Sequence, residues 1–412
     1  MSDIYIVGIG MTPFGKFLDQ SMKDLTRGAV SAALQDAGLA KEDVQAAYFA
    51  NASQAAIDGQ YMVGGQVALR DMGIGGIPVV NVENACASAS TALHNACLHL
   101  KAGAADVVLA VGAEKMYDAD KTKSFNVFNG AWDVHNVPTL TKALLELGEG
   151  IEPPPERQAQ ANMRSVFMDV YASLARFHMK TFGSTERQIA AVAAKNHNHS
   201  MLNPLSQYRN GMSIDEVLAS RMISWPLTLP MCAPISDGAA AAILVREDML
   251  DRFDRSRAVK VDACVLATGA DRKAEEVEKH VCHIAAKKAY NIAGIGPKDI
   301  SVAEVHDASA FAEVVQAENL GFCEFGQGGW IAERGETSLG GRIPINTSGG
   351  LESKGHPIGA TGLGQIHELV TQLRHEAGDR QVEKARFAIA ENGGGFHGFE
   401  EAVACITILS RQ

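Results

Sequence analysis

Two short segments of the chain carry residues that together could perform nucleophilic catalysis. They lie 270 positions apart, and one contains Cys86 where the other contains His356. Each follows an apolar run and begins a helix-like run with small residues. A cysteine attacks as its thiolate, and a helix N-terminus and a neighbouring imidazole are two common ways to favour that form. If the two segments face each other, the chain contains a cysteine–histidine catalytic pair.

Each of these two residues also has an ordinary structural interpretation. A free cysteine is often a small apolar core residue, but the small residues around Cys86 would let a substrate approach, which favours the catalytic interpretation. His356 lies in a glycine-rich stretch, residues 346–362, where it could be only a capping histidine. So many glycines indicate a backbone in unusual conformations, as is typical of a functional site.

The composition predicts a soluble globular protein. The chain has 412 residues, 46% hydrophobic and 21% charged, and no apolar run approaches the length of a membrane span. Its net charge of −11, without a basic cluster, argues against a nucleic-acid partner. The chain enters a strand-like run at Ile4, so we expect no secretory signal, and seven cysteines favour a reducing, cytoplasmic location.

The sequence does not predict a metal site. No two cysteines have the Cys-x-x-Cys spacing of a zinc site. The pair His197 and His199 follows a helical pattern among polar residues, and we interpret it as a solvated helix end.

Short apolar strands alternate with amphipathic helices, which indicates an α/β fold with largely buried sheets. The predicted strands are Ile4–Gly8, Ala46–Ala50, Val79–Val82, Asp106–Val111, Ala239–Val245, Val259–Thr268, Val302–Val305 and Arg386–Ala390. The predicted helices are Leu25–Ala37, Ser88–Ala102, Glu186–Lys195, Val277–Ile292 and Thr361–His375.

An internal repeat relates the two ends of the chain. Residues 33–44 match residues 289–300 at a constant offset of 256, and the offset becomes 270 at Cys86 and His356. Two related halves usually pack about a pseudo-twofold axis. That symmetry would bring the beginnings of the two matching helices to one central place.

The repeat suggests a division into three parts. The first half comprises residues 1–117 with 228–255, and the second comprises residues 256–412. A segment near 118–227 interrupts the first half, and we expect it to form a lid or ligand-covering domain.

Four motifs in this order resemble the thiolase family: the Cys86 segment, Glu304–Phe311, Gly355–Gly362 and the glycine loop Gly393–Gly395. Within that family the chain is most similar to the sterol-carrier-protein-linked and bacterial thiolase-like acetyl-CoA acetyltransferase branch. The resemblance implies a five-layer αβαβα fold and a homodimer or dimer of dimers. It also implies coenzyme A thioesters as substrates, without any other cofactor.

The resemblance also implies roles for individual residues. Cys86 would be the acylated nucleophile, and His356 its base and one donor to an oxyanion hole. His306 would be the second donor, in place of the asparagine of the classical motif; alternatively it is a buried histidine bonded to Asp307. The backbone N–H groups of Cys86 and Gly393 would form a second oxyanion hole.

The chain departs from the family pattern at one catalytic position. Classical thiolases carry a second cysteine two residues before the first glycine of the final loop, and this chain has Glu391 there. Glu391 could transfer protons if burial raises its pKa toward neutrality. His397 is the rival candidate, and Glu391 could instead only bond the glycine loop. The remaining C-terminal cysteine, Cys405, is predicted to be a core residue.

Contacts to coenzyme A should come from the inserted segment, and Met168, His178 and Met179 are the candidates there. The turn Ser236–Gly238 resembles a family turn that supports the site from behind.

The activity implied is thiolytic cleavage of a 3-oxoacyl-CoA, or the reverse Claisen condensation, through an acyl-Cys86 intermediate in lipid or aromatic acyl-CoA metabolism. One alternative is acyl transfer to an acceptor other than coenzyme A. Another is cleavage of an unusual branched or aromatic 3-oxoacyl-CoA with a small zinc-binding OB-fold partner subunit. A third is a non-catalytic binding subunit, against which the intact Cys86 and His356 argue.

Overall fold

The fold is described from a computed structural model that covers residues 2–157 and 166–411. The strands are β1 (Ile4–Met11), β2 (Ala46–Ala50), β3 (Val79–Val82), β4 (Val107–Glu114), β5 (Met222–Ser224), β6 (Leu227–Thr228), β7 (Gly238–Arg246), β8 (Val259–Thr268), β9 (Val302–Glu304), β10 (Phe387–His397) and β11 (Glu400–Ser410). The helices are α1 (Met22–Ala37), α2 (Gln54–Asp58), α3 (Gly64–Asp71), α4 (Ser88–Lys101), α5 (Lys121–Asn126), α6 (Val137–Glu146), α7 (Val166–Phe182), α8 (Glu186–Ser200), α9 (Ile214–Ala219), α10 (Val281–Ala293), α11 (Ala310–Asn319), α12 (Gly328–Glu333) and α13 (Thr361–Leu373).

The main sheet consists of two similar halves joined edge to edge. Across the described residues its strand order is β3-β2-β4-β7-β1-β8-β11-β10-β9. The halves meet through a short antiparallel contact in which Tyr5 pairs with Lys260 and Ile6 with Val259. In each half two antiparallel pairings are followed by parallel ones. The isolated parallel bridge of Ala303 to Ile345 takes the place in the second half that β3 has in the first.

Side-chain alternation along the strands divides the core into layers. On β1, Tyr5 and Val7 pack in a cluster with α1 and α3. Ile4 and Ile6, on the opposite face, pack in a cluster that also contains the apolar residues of α4 and α13. The second half covers its outer face with α10 and α11. The inner face of the second half, including Val302 and Ala388, packs in the same cluster as α4 and α13. The layers are therefore helix, sheet, helix, sheet, helix, as the thiolase resemblance implies.

The two helices of the central layer approach each other closely. A side-chain Cβ at Gly362, in the first turn of α13, would lie 2.0 Å from the Ser90 hydroxyl oxygen of α4. The N-terminal turns of α4 and α13 therefore lie side by side. This contact places the Cys86 and His356 segments next to each other, as the repeat predicts.

The structure differs most from the sequence predictions at two places. β10 continues as a strand through Gly393–Gly395, because its pairing with β11 outweighs the low strand propensity of glycine. The prediction of a solvated helix end at His197 and His199 is wrong: α8 continues to Ser200, and both histidines are buried. His199 is covered by the loop that contains Asn346, whose carbonyl oxygen lies 3.0 Å from its Nδ1.

Residues 118–227 contribute α5 to α9 and the short β5–β6 ribbon, as far as the structure describes them. Their aromatic side chains pack onto the glycine strand of the second half. The ring of Trp132 stacks on that of Phe396 at a centroid distance of 5.5 Å, and the Phe396 N–H donates to the Ala131 carbonyl oxygen. In the described ranges no helix has both the length and the apolar character needed to cross a bilayer.

Candidate active site

Cys86 lies in a 3-10 turn, Ala85–Ala87, that leads directly into α4. The residue before it, Ala85, has φ of 47°, a left-handed conformation that costs a residue with a side chain of order 1–3 kcal/mol. Asn84 fixes this turn, because its N–H donates to the Ser88 hydroxyl and its side-chain amide to Thr91. The strained turn leaves Cys86 partly exposed at the beginning of the helix.

His356 is held by contacts at both its backbone and its ring. Its N–H donates to the Ser236 hydroxyl over 2.9 Å, and its Nδ1 lies 2.7 Å from the Thr361 hydroxyl oxygen. The Thr361 hydroxyl donates its own hydrogen to the Pro357 carbonyl oxygen. It therefore accepts from His356, so that Nδ1 carries the proton and Nε2 is free to act as a base.

The turn behind His356 is anchored to the first half. Asp237, fully buried, accepts from the backbone N–H groups of Met116 and Tyr117 and pairs with the Lys115 ammonium at 2.7 Å. Ser236, in the same turn, accepts the His356 N–H, so the anchored turn fixes the position of the histidine.

The structure brings Cys86, His356 and His306 together. The Cys86 sulfur and one ring nitrogen of each histidine lie within 4.8 Å of one another. The two imidazole rings are 5.2 Å apart between centroids and meet edge to face. These three groups come from the ends of elements in both halves of the sheet.

Cys86 and His356 are both uncharged in the free protein. Burial raises the pKa of the Cys86 thiol to about 12, although the Gly395 N–H, which bonds to it, acts in the opposite direction. Burial, with the nearby His306 and Lys354, holds the pKa of His356 well below its usual value. A neutral imidazole beside a neutral thiol can remove the proton as the sulfur attacks.

His306 presents polar atoms that lack a partner within the described structure. It is 3% exposed, and neither of its ring nitrogens has a hydrogen bond. Burial lowers the pKa of His306 to about 4, so the ring is neutral and one nitrogen carries a hydrogen. An unsatisfied buried donor costs about 1–3 kcal/mol, which a substrate oxygen would recover on binding. The side chain does not bond Asp307 in the way that the structural alternative supposed; Asp307 accepts instead from the Leu351 N–H.

Glu391 is fully buried directly beside this group. Its Oε2 accepts a hydrogen bond of 2.9 Å from the backbone N–H of His306, and its Oε1 lies 3.4 Å from the Cys282 sulfur. Burial, with a smaller contribution from the Glu401 carboxylate, raises the pKa of Glu391 to about 8. Glu391 is thus a carboxylic acid at neutral pH and can donate a proton. Its rival, His397, lies at the exposed end of β10.

The glycines after Glu391 lie close to the nucleophile, and Gly395 provides the N–H that bonds the Cys86 thiol. Gly393 of β10, for which the resemblance implies an oxyanion-hole role, pairs with Ala404 of β11 and lies against the Glu401 side chain. Cys405 is buried on β11 near the Ser90 carbonyl oxygen and the Cys264 sulfur, which agrees with its prediction as a core residue.

The candidates for coenzyme A binding lie on α7. Met168 and Met179 are half-buried. His178 is buried, and both its ring nitrogens have partners, the Ser184 hydroxyl at 2.8 Å and Glu318 at 3.2 Å. Both ring nitrogens of His178 are therefore already bonded to other protein groups.

Sequence reasoning missed several residues around Glu391. Tyr171 of α7 is buried, and the ionisable groups of Glu401, Cys86 and Glu391 are close enough to add to burial in raising its pKa. Cys282 and Glu401 also lie here, within 4.8 Å of a ring nitrogen of His280. These residues come from α7, α10 and β11, and no spacing along the chain connects them.

Comparison with known proteins assigns the family. Residues 4–214 match the profile of the thiolase N-terminal domain, and residues 267–411 match that of the thiolase C-terminal domain-like family. The chain is 35% identical over 413 residues to the acetyl-CoA acetyltransferase of Methanothermobacter thermautotrophicus, with 100% of both chains covered. It is 36% identical over 400 residues to sterol carrier protein 2 of Bos taurus, covering 95% of this chain and 70% of that one.

Solved structures share the fold. The Ltp2-ChsH2(DUF35) aldolase superposes with a TM-score of 0.75 at 22% identity, covering 98% of this chain and 97% of that one. Human mitochondrial 3-ketoacyl-CoA thiolase in complex with CoA superposes with a TM-score of 0.69 at 17% identity, covering 100% and 98%. The family profiles, the full-length relatives and the five-layer fold agree, and the chain belongs to the thiolase family.

Proposed function

We propose that the protein is a thiolase-type acyltransferase that cleaves a 3-oxoacyl-CoA with coenzyme A, or forms one by the reverse condensation, through an acyl-Cys86 intermediate. The observation that carries the proposal is the meeting of Cys86, His306 and His356 within 4.8 Å, where the His306 ring nitrogens have no hydrogen-bond partner among the described residues. The acetyl-CoA acetyltransferase relative, matched over its whole length, supports the same reaction class.

In the first step His356 removes the Cys86 proton at Nε2 as the sulfur attacks the 3-keto carbon. Its Nδ1–H stays bonded to Thr361, which fixes the ring during the transfer. The negative charge on the former keto oxygen is stabilised by backbone N–H groups, those of Cys86 and Gly393, with Gly395 nearby. Removal of one such donor typically slows a reaction 10²–10³-fold.

In the second step the tetrahedral adduct collapses, the carbon–carbon bond breaks, and the acyl group remains on Cys86. The electron pair leaves as the enolate of acetyl-CoA, whose oxygen the donors of His306 and protonated His356 stabilise. Glu391 gives its proton to the enolate carbon and becomes a carboxylate. The raised pKa of Glu391, about 8, provides the neutral acid that this step needs.

In the third step the Glu391 carboxylate takes the thiol proton of an incoming coenzyme A. The new thiolate attacks the acyl-Cys86 carbonyl, and the released Cys86 sulfur recovers its proton from His356. All groups return to their starting forms, so the same residues serve the condensing direction. Met168 and Met179 remain our proposals for coenzyme A contacts, and His178 is proposed to shape the site through its bonds to Ser184 and Glu318.

We also propose a homodimer that forms along β3. This strand ends the sheet in the described part of the chain, and its Val80 is 44% exposed. Tyr61 and Met62 nearby are 77% and 75% exposed, so an unpaired strand edge lies beside exposed apolar side chains. We further propose a small partner subunit, because the fold is similar to that of the Ltp2-ChsH2(DUF35) aldolase. The three-part division of the chain and a cytoplasmic location are likewise proposals.

A specific observation supports a second candidate activity, aldol cleavage. Glu391 replaces the family's second cysteine, and the fold is similar to that of an aldolase. In an aldol cleavage His356 would take the proton of a 3-hydroxyacyl thioester hydroxyl. The carbon–carbon bond would break to a carbonyl product and an enolate, and Glu391 would protonate the enolate. This reaction needs no Cys86.

Intact-mass spectrometry after incubation with acetyl-CoA tests the proposal. We expect one acetyl group on the protein, absent in Cys86→Ala and present in the matched control Cys323→Ala, which removes another half-buried cysteine. Absence of an adduct on the wild-type protein would refute the acyl-Cys86 mechanism. If Cys86→Ala retains cleavage of a 3-hydroxyacyl-CoA, the aldolase candidate is correct instead.

A further inference from the structure

Glu391 has no direct access to water, yet its proposed role requires it to gain and lose a proton. Its side chain is 0% exposed, and it is separated from the surface by the substrate site on one side and by α10 and β11 on the other. On the second side lies a chain of groups that can accept and release protons and that the mechanism above does not use. It consists of Cys282, at the beginning of α10, and Glu401 of β11.

The distances in this chain are those of hydrogen bonds involving sulfur. The Cys282 sulfur lies 3.4 Å from Glu391 Oε1 and 4.0 Å from Glu401 Oε2. Burial and the two neighbouring carboxyl groups raise the pKa of the Cys282 thiol well above its usual value, so it keeps its hydrogen. The absence of a side chain at Gly393 makes the arrangement possible, because a Cβ there would lie 2.6 Å from the Glu401 Cγ.

Glu401 is fixed at the far end of the chain by two groups. The Gln316 amide donates to its Oε1 at 3.1 Å, and His280 Nε2 lies 3.2 Å from its Oε2. His280 Nδ1 accepts the Cys282 N–H as a helix cap, so its hydrogen is on Nε2 and points to Glu401. This tautomer makes His280 a donor to the carboxylate, which disfavours a metal ion among His280, Cys282 and Glu401.

Glu401 also borders a cavity of about 90 Å³, large enough for several water molecules. The cavity is lined mostly by apolar and aromatic side chains, with polar groups at His280, Gln316 and Glu318, and its lining includes the half-exposed Val277. Water held by these polar groups would lie next to Glu401.

We propose that Glu391 exchanges its proton with solvent through Cys282 and Glu401, by way of this cavity, independently of the substrate site. In the outward direction Glu391 gives its proton to the Cys282 sulfur while Cys282 gives its own to Glu401, which passes one to water. The inward direction reverses each transfer, so no group changes its net protonation. The proposal rests on the proposed function, because it assumes that Glu391 is the acid and base for the acetyl-CoA enolate.

Glu401 does not retain a transferred proton. His280 opposes the effect of burial and holds the pKa of Glu401 at about 2, well below the pKa of about 8 of Glu391. A proton that reaches Glu401 therefore passes on to water or returns to Glu391.

Hydrogen exchange into acetyl-CoA tests the route. In D₂O the enzyme removes a methyl proton of acetyl-CoA and then either condenses the enolate or returns a hydrogen to it. Deuterium enters the methyl group only if Glu391 has exchanged with solvent first. The measured quantity is the ratio of deuterium incorporation to condensation, followed by mass spectrometry of acetyl-CoA and acetoacetyl-CoA.

We expect Cys282→Ala to lower this ratio about tenfold or more, and Cys282→Ser, which keeps a transferable hydrogen, to restore it in large part. Glu401→Gln, which keeps the size but cannot accept a proton, should lower the ratio like Cys282→Ala. The matched control Cys405→Ala removes another buried cysteine, which contacts Ser90 and Cys264, and should leave the ratio unchanged.

An unchanged ratio in Cys282→Ala or Glu401→Gln would overturn the proposal, as would an equal fall in Cys405→Ala. Failure of the proposed function would be seen separately, as the absence of an acetyl adduct on the wild-type Cys86.

Discussion

Replacing Glu391 with glutamine tests the central assumption about proton transfer. The substitution keeps the shape of the side chain and its acceptance of the His306 N–H, but removes the transferable proton. Burial raises the pKa of Glu391 from 4.5 to about 8. At 1.36 kcal/mol per pKa unit, ionising this group in the folded protein costs about 5 kcal/mol more than in water. At pH 7 the acid should therefore exceed the carboxylate about tenfold.

The kinetic consequence is specific to one step. We expect Glu391→Gln to lower cleavage of acetoacetyl-CoA by about 10²–10⁴-fold, the usual contribution of a general acid, while acetyl-CoA still acylates Cys86. The wild-type cleavage rate should fall as the pH rises through about 8, because the carboxylate cannot donate. The variant should lack that decline. Steady-state rates between pH 6 and 9.5, with intact-mass measurement of acylation, check these expectations.

The raised pKa of Glu391 also affects the stability of the fold. The pKa of Glu391 is higher in the folded protein than in the unfolded chain, so the folded state binds this proton more tightly. The stabilisation is fully present below about pH 4.5 and is lost as the pH rises through about 8. Relative to the wild type, Glu391→Gln should gain about 4 kcal/mol in unfolding free energy between pH 5 and pH 9, measured by urea denaturation.

The matched control is His397→Gln, which removes the rival proton donor at the exposed end of β10. It should leave the cleavage rate and its pH profile unchanged. The reasoning would be refuted if Glu391→Gln cleaved acetoacetyl-CoA at the wild-type rate with the same pH dependence, or if His397→Gln caused the loss.

Four further predictions concern the residues around Cys86 and His356, the packing of the central helices and the proposed dimer interface. Thr361→Val removes the acceptor that fixes His356 Nδ1, and should lower the acylation rate of Cys86 at least about tenfold, with Thr361→Ser retaining most of it; equal rates in both variants would exclude this role. His306→Ala should lower kcat for cleavage by about 10²–10³-fold, whereas His306→Asn, which keeps a donor, should lose much less; similar losses would argue against donation to the enolate oxygen. Gly362→Ala should reduce the unfolding free energy by about 1–3 kcal/mol in urea denaturation, since its methyl group meets Ser90, and an unchanged midpoint would show that the central helices can separate. Val80→Lys on the β3 edge should shift a dimer toward monomer in light scattering, and a wild-type monomer would refute the proposed interface.

The sequence was sufficient where a pattern has a single physical solution. Strands such as Val79–Val82 and Val259–Thr268 have the predicted bounds, because continuous or alternating apolar residues between turns favour strands. The meeting of Cys86 and His356 could also be predicted, since the internal repeat makes their helices counterparts. The resemblance to thiolases correctly implied five layers.

The sequence was insufficient where distant segments decide the environment. Gly393 and Gly394 have low strand propensity, yet they continue β10 because they pair with Ala404 and Val403 of β11. His197 and His199 look solvated, but the 346–353 loop, which bonds both, covers them. Two groups that contact Glu391 are contributed by distant elements: the His306 backbone at a separation of 85 positions and the Cys282 sulfur at a separation of 109. No local pattern encodes such contacts.

The close contact between the first turns of α4 and α13 has a consequence for the newly made chain. Cys86 belongs to the first half of the chain, but its base, His356, precedes α13 and its proton donor, Glu391, lies on β10, both in the second half. A chain that has folded only its first half would hold this cysteine without its base, so any acylation by acyl thioesters would be uncatalysed. Catalysed acylation of Cys86 would begin only after the strands of the second half have joined the sheet, so that it reports the docking of the two halves.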